Sequence, residues 1–251
     1  MVMAVAAEQA LKGRRVIKSL GTGEEHWRTD FIGSRSPGSS SAEPQAFLIE
    51  MRADETILPH FHEVDQFQVF VAGSGGLGRH EVPTVAVHYT DHHTGYGPIV
   101  AGPRGYSYFT LRARSDPGAR YLHHPGYREA LKPSRKRHGT TGGLLLTTAP
   151  VLMQRTEAEI EPLLAELKAD DALRAALYRL GPDMTVTGPD PALSGGQYWL
   201  VLNGSLTWES ARYAKWSVVF IAPTDPAFGV RAGPEGLEAL LLQYPRREAQ
   251  P

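Results

Sequence analysis

Two histidines and two glutamines lie close together in the stretch PHFHEVDQFQVFVAG, residues 59–73. His60, His62, Gln66 and Gln68 all have even numbers, and side chains of equal parity point to the same face of an extended strand. Two imidazoles at positions i and i+2 can therefore both reach one ion, at about 2.0–2.2 Å from each nitrogen. Such nitrogen and oxygen donors suit Fe, Ni, Mn or Zn as divalent ions. The pattern suits one metal site, and the alternative, an exposed histidine pair without a role, stays open on the spacing alone.

The histidines are confined to one part of the chain. All ten lie between His26 and His138, and none follows from Gly139 to Pro251. Imidazole chemistry is therefore expected only in the first half. His88 shares the even parity of Thr90 on a predicted strand, so we include it as a candidate metal ligand; His92 and His93 stay open as alternatives.

Composition narrows the class of protein. The chain has 251 residues, 41% of them apolar, a formal net charge of -1 and no cysteine. The charge argues against a nucleic-acid or membrane-surface protein, and the missing thiols exclude disulfides and cysteine-ligated zinc. The start of the chain does not have the pattern of a signal peptide, so we expect a cytoplasmic protein. The expected partner is a small-molecule substrate, with a homodimer left open.

Short β-rich stretches, separated by glycine and proline, predict an all-β sandwich or barrel with minor helices. The predicted strands are residues 46–53, 66–73, 82–90 and 105–113. Residues 123–143 are interpreted as a solvated hinge. The leucine spacing in 161–182 predicts a helix, with a capping box formed by Thr156 and Glu159 before it. The domains are therefore expected at 24–125 and 183–245, with 126–182 as a linker and helical segment.

An internal repeat connects the two halves. A shift of 131 residues places QFQVFVAGSG (66–75) on QYWLVLNGSL (197–206), and GPRGYSYFTLR (102–112) on GPEGLEALLLQ (233–243). Two blocks agree under one ungapped offset, which predicts a duplicated β domain.

The motifs of the first repeat resemble those of the cupin superfamily. His60-x-His62-x3-Gln66-x6-Gly73 keeps the spacing of the first cupin motif after its leading glycine, and Gly97-x5-Pro103-x-Gly105-x2-Tyr108 keeps that of the second. The resemblance implies two tandem double-stranded β-helix barrels of the jelly-roll type, a bicupin. It also implies metal ligands at His60, His62 and Gln66.

Several positions depart from the family pattern. Asp54 stands where the first motif has a glycine, Gln66 replaces a glutamate ligand, and Tyr108 replaces a third histidine. Tyr108 is either a further ligand or, with Gln68, a candidate catalytic side chain. In the second repeat Pro191, Leu193 and Ala239 occupy the positions of His60, His62 and Tyr108. The second barrel is thus expected to be degenerate, without a metal. Arg104 and Arg112 are interpreted as solvated, with carboxylate binding as the alternative.

The resemblance implies three classes of function. The first is a mononuclear-metal oxidoreductase, dioxygenase-like, acting on a small organic molecule. The second is a metal-dependent lyase or isomerase in which Tyr108 acts as acid or base. The third is a small-ligand-binding cupin without catalysis. A fold alone does not decide among them.

Overall fold

The computed structural model describes residues 1–19, 21–33, 40–167 and 170–246 and divides into two compact units. The N-terminal unit is Gly13–Leu144; the C-terminal unit combines Met1–Lys12 with Leu145–Pro251. The chain begins with β1 (Met3–Val5) and α1 (Ala7–Leu11). The strands of the N-terminal unit are β2 (Arg15–Lys18), β3 (Glu25–Ile32), β4 (Gln45–Met51), β5 (Thr56–Ile57), β6 (His60–Phe61), β7 (Gln66–Leu77), β8 (His80–Val82), β9 (Ala86–Thr90), β10 (Ile99–Arg112), β11 (Arg120–Tyr121) and β12 (His138–Thr140).

The rest of the C-terminal unit is also built mainly of strands. Its elements are α2 (Ala149–Met153), β13 (Glu159–Leu163), β14 (Arg174–Leu180), β15 (Thr185–Thr187), a 3-10 turn (Pro191–Leu193), β16 (Gln197–Trp208), β17 (Ala211–Ala214), β18 (Val218–Ile221) and β19 (Gly229–Gln243). The all-β prediction with minor helices is confirmed. Within the described residues, no helix is long and apolar enough to cross a membrane.

Antiparallel pairing places the strands of the N-terminal unit in the order β12-β9-β7-β10-β4-β3-β2, with β5 beside β10 and β8 beside β7. The two short strands β6 and β11 pair separately. The long strands β7 and β10 lie at the centre, and their buried aromatic side chains Phe70, Tyr106 and Tyr108 belong to one apolar cluster. This sheet holds β7, which carries the two glutamines predicted to contribute to the site.

Cross-strand register arranges the side chains around that centre in rows. One row runs across five strands through Phe47, Thr110, Gln68, His88 and Thr140. On one side of it, Arg112 pairs with Gln45 and Gln66 pairs with Thr90. On the other side lies an apolar row made of Ile49, Tyr108, Phe70 and Ala86. The side chains therefore become less polar from the row of Arg112, through the row of Gln68, to the row of Tyr108.

The C-terminal unit has a matching sheet with the order β1-β18-β16-β19-β14-β13, joined by β15 on β19 and β17 on β16. Its interior is filled by large apolar side chains, among them Trp199, Tyr178 and Phe228. The strand β1 thus forms one outer strand of the sheet of the C-terminal unit.

The repeat predicted from the offset of 131 is also seen in the irregularities of the strands. β7 spans 66–77 and β16 spans 197–208, a shift of 131 at both ends. Gly73 pairs with Tyr106 and Gly204 with Leu237, at the same offset, and both strand pairs have register shifts around these positions. Both glycines have positive φ, 81° and 64°. A Cβ atom would lie 2.1 Å from the carbonyl oxygen of the facing glycine in each case, so neither position has room for a side chain.

The helix predicted over 161–182 is wrong. The described part of this segment contains β13 and β14, and the proposed cap at Thr156 and Glu159 precedes no helix, because Glu159 begins β13. β14 lies between β13 and β19 with both of its faces buried, so apolar residues fill successive positions and imitate helical spacing. Residues 126–182 are consequently no separate linker: 126–144 belong to the N-terminal unit and 145–182 to the C-terminal unit.

Candidate ligand site

A cavity of about 110 Å³ opens inside the N-terminal unit. Its wall includes His60 from β6, Gln68 from β7, and Tyr108, Thr110 and Arg112 from β10. His62, in the loop after β6, lines it too. The sequence-predicted residues His60, His62, Gln68 and Tyr108 are thus brought to one cavity.

His60 is held by two hydrogen bonds in a buried position. Its Nδ1 lies 2.7 Å from the Leu58 carbonyl oxygen, and a carbonyl can only accept, so the proton is on Nδ1. Its Nε2 then accepts from the Tyr96 hydroxyl at 2.8 Å. Burial, followed by the effects of His62 and Arg112, lowers the pKa of His60 to about 3. His60 is a neutral ring whose one lone pair is engaged by Tyr96.

His62 is oriented in the same way by a carboxylate. Its Nδ1 lies 2.7 Å from Asp116 Oδ1, and its Nε2 lies 3.0 Å from Arg112 Nη2. Asp116 also accepts from the backbone N–H groups of Glu63 and Gly118. Burial alone would raise the pKa of Asp116, but His62, Arg112 and the Glu63 amide lower it well below its usual value. Asp116 is therefore ionised, and the guanidinium donates to the His62 lone pair.

Arg112 joins these groups into one chain of hydrogen bonds. It is 4% exposed and donates from Nε and Nη2 to Gln66 Oε1, at 3.1 and 2.9 Å, and from Nη1 to Gln45 Oε1 at 2.7 Å. Gln66 Nε2 in turn donates to the Tyr96 hydroxyl. Arg112 was interpreted as solvated from the sequence; that interpretation is wrong.

This arrangement does not fit a divalent metal ion. The three predicted donor atoms, His60 Nε2, His62 Nε2 and Gln66 Oε1, already accept hydrogen bonds from Tyr96 and Arg112. A guanidinium charge 3.0 Å from one of them would repel a second cation. Across the ranges described, no three His, Cys, Asp or Glu side chains are grouped to hold a metal. The metal assignment of His60, His62, Gln66 and His88 stays a prediction.

Three polar side chains of the cavity wall have no such partners. Gln68 is 2% exposed, and its Oε1 is buried without a hydrogen bond. Within the described residues, neither the Thr110 nor the Tyr108 hydroxyl forms a hydrogen bond with a protein atom. Burial raises the pKa of Tyr108 well above its ordinary value, so the phenol is neutral. These groups are available to a ligand.

Charge in the cavity wall is mainly positive. The charged lining residues are Lys18, Arg28, Arg112 and Asp116. Arg28, 6% exposed, lies over the ring of Phe47 at 3.6 Å from its centroid, and Arg112 lies 5.5 Å from the same centroid. Two buried guanidinium groups thus lie near one aromatic ring, at distances typical of cation–π contacts.

The remaining histidine candidates lie apart from the cavity wall. His88 Nδ1 lies 2.8 Å from Thr140 Oγ1 and its Nε2 lies 2.6 Å from Thr90 Oγ1, so both nitrogens are engaged. His92 pairs with Asp65 through Nδ1 at 2.6 Å. His93 packs beside Phe61, with ring centroids 5.5 Å apart. None of the three is among the residues that line the cavity.

Sequence reasoning missed Asp116 and Tyr96 as parts of the site, and it gave Arg112 a carboxylate-binding role only as the alternative to a solvated one. The repeat carried a signal for Arg112: the offset of 131 places Gln66 on Gln197 and Arg112 on Gln243. In the C-terminal unit the Gln197 amide donates to Gln243 Oε1 at 2.9 Å, so both units pair a polar side chain across the same strands. A polar residue at that place in both repeats indicates an interior partner rather than a solvated side chain.

No family model matches the chain, and no curated protein matches it by sequence. Several solved structures match it along most of its length. An oxalate decarboxylase from Lactobacillus farciminis, in a formate complex, has a TM-score of 0.58 at 11% identity, covering 99% of this chain and 87% of that one.

Two further structures support the same fold. The bacterial pirin YhhW of Escherichia coli in complex with nickel(II) has a TM-score of 0.55 at 13% identity, with coverage of 98% and 100%. A salicylate 1,2-dioxygenase from Pseudaminobacter salicylatoxidans has a TM-score of 0.53 at 12% identity, with coverage of 81% and 71%. At these identities the likeness shows the fold alone: the chain has the cupin fold, as two jelly-roll barrels in tandem.

Proposed function

We propose that the N-terminal unit binds a small organic anion, with the Arg112 guanidinium at the place that the cupin resemblance assigns to a metal ion. One observation carries the proposal: a buried arginine engages His62 Nε2 and Gln66 Oε1, which were the predicted metal donors. A fixed guanidinium supplies positive charge at that point without an ion. Its donors already bond Gln45, Gln66 and His62, so it would act on an anion through its charge.

The electrostatics of the wall support an anion. Lys18, Arg28 and Arg112 carry positive charge and Asp116 carries the opposing negative charge. Arg28 and Arg112 are both buried, and burial, followed by the charge of Arg112, lowers the pKa of Arg28, although its ion pair with Asp30 raises it. An anion in the cavity would offset the positive charge of both groups, because charges interact more strongly away from bulk water.

The size and walls of the cavity limit the ligand. A volume of about 110 Å³ is smaller than the roughly 150 Å³ of an engineered cavity that binds benzene, so the enclosed part of a ligand has at most about six non-hydrogen atoms. Phe47, Ile49 and Ile57 provide apolar walls beside the arginines. The proposed ligand is therefore a short carboxylate with a small apolar remainder.

The test compares short acids with their neutral amides by isothermal titration calorimetry. We expect propionate to bind and propionamide not to, and the affinity for propionate to fall as the salt concentration rises. Arg28→Gln should weaken propionate binding about tenfold, as loss of a charged partner does, whereas Arg104→Gln, exposed and outside the cavity wall, should not. Equal binding of acid and amide, or no binding of either, would overturn the proposal.

A second candidate is the metal-dependent oxidoreductase of the dioxygenase-like kind. The observation that favours it is the pair of buried rings of His60 and His62, which lie 5.1 Å apart and are neutral. Binding a metal there requires Tyr96 and Arg112 to give up their hydrogen bonds to these rings. Elemental analysis after incubation with Fe, Mn, Ni or Zn tests it: one bound ion per chain, lost in the His60→Ala/His62→Ala variant, would favour it over the anion proposal. Oxygen uptake would then separate a dioxygenase from a lyase or isomerase.

A further inference from the structure

The row of side chains next to Arg112 contains polar groups that the protein itself leaves unused. Gln68 and Thr110 face each other across β7 and β10 and both line the cavity. Gln68 is 2% exposed and Thr110 is 3% exposed. Gln68 Oε1 is buried without a partner, and no described residue bonds the Thr110 hydroxyl.

The neighbouring rows differ from this one. Towards the polar end, Gln45, Gln66 and Arg112 bond one another. Towards the other end, the row holds Ile49 and Phe70, which require no partner, and Tyr108, whose hydroxyl no described residue bonds. A buried carboxamide without a partner is costly, and an exterior partner is its usual explanation at a binding site. The unused polar layer therefore lies between the cationic end and the apolar end of one cavity.

We propose that Gln68 and Thr110 determine specificity by hydrogen bonding an oxygen next to the acid group of the ligand, so that the site takes short 2-hydroxy or 2-oxo acids. This inference rests on the proposed anion site. Arg112 and Thr110 are two residues apart on β10, about 6.6 Å along a strand. A carboxylate near the Arg112 row places the substituent of its neighbouring carbon near the Gln68–Thr110 row, and the remaining carbon near the apolar row.

Pairs of acids with the same shape test the inference. Lactate and isobutyrate differ by a hydroxyl in place of a methyl group, and pyruvate and methacrylate differ by a keto oxygen in place of a methylene group. We expect calorimetry to show lactate and pyruvate binding about tenfold or more tightly than their apolar counterparts, since a site built to bond an oxygen disfavours the analogue without it.

Two isosteric variants assign the preference to these residues. Gln68→Leu and Thr110→Val should each reduce the lactate-to-isobutyrate ratio severalfold while isobutyrate binding is maintained or improved. Gln154→Leu, at an exposed position of the C-terminal unit, is the matched control and should keep the wild-type ratio. The near-ultraviolet circular dichroism spectrum verifies folding, and if one variant fails to fold, the other carries the test.

The outcomes separate this inference from the proposed function. Acids that bind with no difference between lactate and isobutyrate, or between pyruvate and methacrylate, overturn the specificity inference and leave the anion site standing. A preference that persists unchanged in both folded variants assigns it to other residues and overturns the inference too. If no acid binds to the wild-type protein, both proposals are wrong.

Discussion

Hydrogen bonds hold each of the site residues in one orientation. A series of hydrogen bonds connects the Leu58 carbonyl to His60, His60 to Tyr96, and Tyr96 to Gln66. Arg112 donates both to Gln66 and to His62. Every member has a defined role as donor or acceptor, because the carbonyl at one end fixes the ring proton of His60. A buried network that is fully satisfied fixes geometry, and one missing member leaves its neighbours unpaired.

Tyrosine-to-phenylalanine changes at two positions test this network. Tyr96→Phe should lower the free energy of unfolding by about 2 kcal/mol or more, because it leaves buried groups of His60 and Gln66 without a partner. Tyr108→Phe should cost less than about 1 kcal/mol, since no described residue bonds its hydroxyl. Urea unfolding of both variants measures the difference, and equal losses would contradict the network.

The sequence predicted part of the site at this scale. The spacing of His60 and His62 placed both rings at one cavity, because short-range parity on an extended segment depends only on the local backbone. Arg112 and Asp116 lie some 50 residues further along the chain, and their contacts with His62 depend on the register between distant strands. Neither residue type nor spacing predicts that a guanidinium bonds the side chains that were expected to hold an ion.

At the scale of elements, the repeat was more informative than local propensity. One offset predicted that β7 and β16 are equivalent, because glycines at sharp irregularities are tied to a backbone that no other residue adopts easily. Local pattern failed at β14, where burial of both faces produced apolar spacing that also suits a helix. Tertiary pairing with β19 decides its conformation.

The equivalent glycines should be equally intolerant of substitution. Gly73→Ala and Gly204→Ala each add a Cβ atom 2.1 Å from a backbone oxygen, at positive φ. Each should destabilise the protein by about 3 kcal/mol or more, the combined result of strain and clash. Gly142→Ala is the control, with no atom within 4 Å of its Cβ, and should change stability by less than about 0.5 kcal/mol. Thermal unfolding measures all three; a mild effect at Gly204 alone would contradict the equivalence of the two units.

A buried carboxylate connects three strands of the C-terminal unit to the segment before α2. Glu238 on β19 is 0% exposed and accepts from Thr147, from Asn203 on β16 and from Arg179 on β14. The contact with Arg179 is charge-assisted, and the contacts with backbone and amide groups offset the loss of water around the carboxylate.

Removing that charge tests the role of Glu238. Glu238→Gln should lower the free energy of unfolding by about 3 kcal/mol, because it leaves buried donors facing an amide and Arg179 without its buried partner. Glu161→Gln removes a partner of the same arginine whose side chain is 42% exposed, and should cost less than about 1 kcal/mol. Guanidinium unfolding compares the two variants; similar losses would mean that burial does not decide the strength of these contacts.

At the scale of the whole molecule, the two units complete their sheets from different parts of the chain. In the N-terminal unit, β12 follows in sequence and pairs with β9. In the C-terminal unit, β18 is the strand equivalent to β9, and it pairs with β1 from the opposite end of the chain. An uncovered outer strand exposes unpaired backbone groups, so both pairings protect a sheet edge.

Deleting residues 1–12 should therefore affect the distant β18. The deletion removes the pairing of Met3, Ala4 and Val5 with Phe220, Val219 and Val218, and the hydrogen bond from the Ala7 amide to Ser217 Oγ. Amides of 218–221 should exchange with solvent about tenfold faster or more, because local opening becomes easier where edge pairing is lost.

The matched control for that experiment is the equivalent strand of the other unit. Residues 86–90 keep β12 and should exchange at the wild-type rate, since residues 1–12 cluster with the C-terminal unit. Hydrogen exchange followed by mass spectrometry resolves both strands in one sample. Unchanged protection of 218–221 would show that β1 contributes little to the sheet, and equal acceleration in both strands would show that the chain start supports the molecule generally rather than one edge.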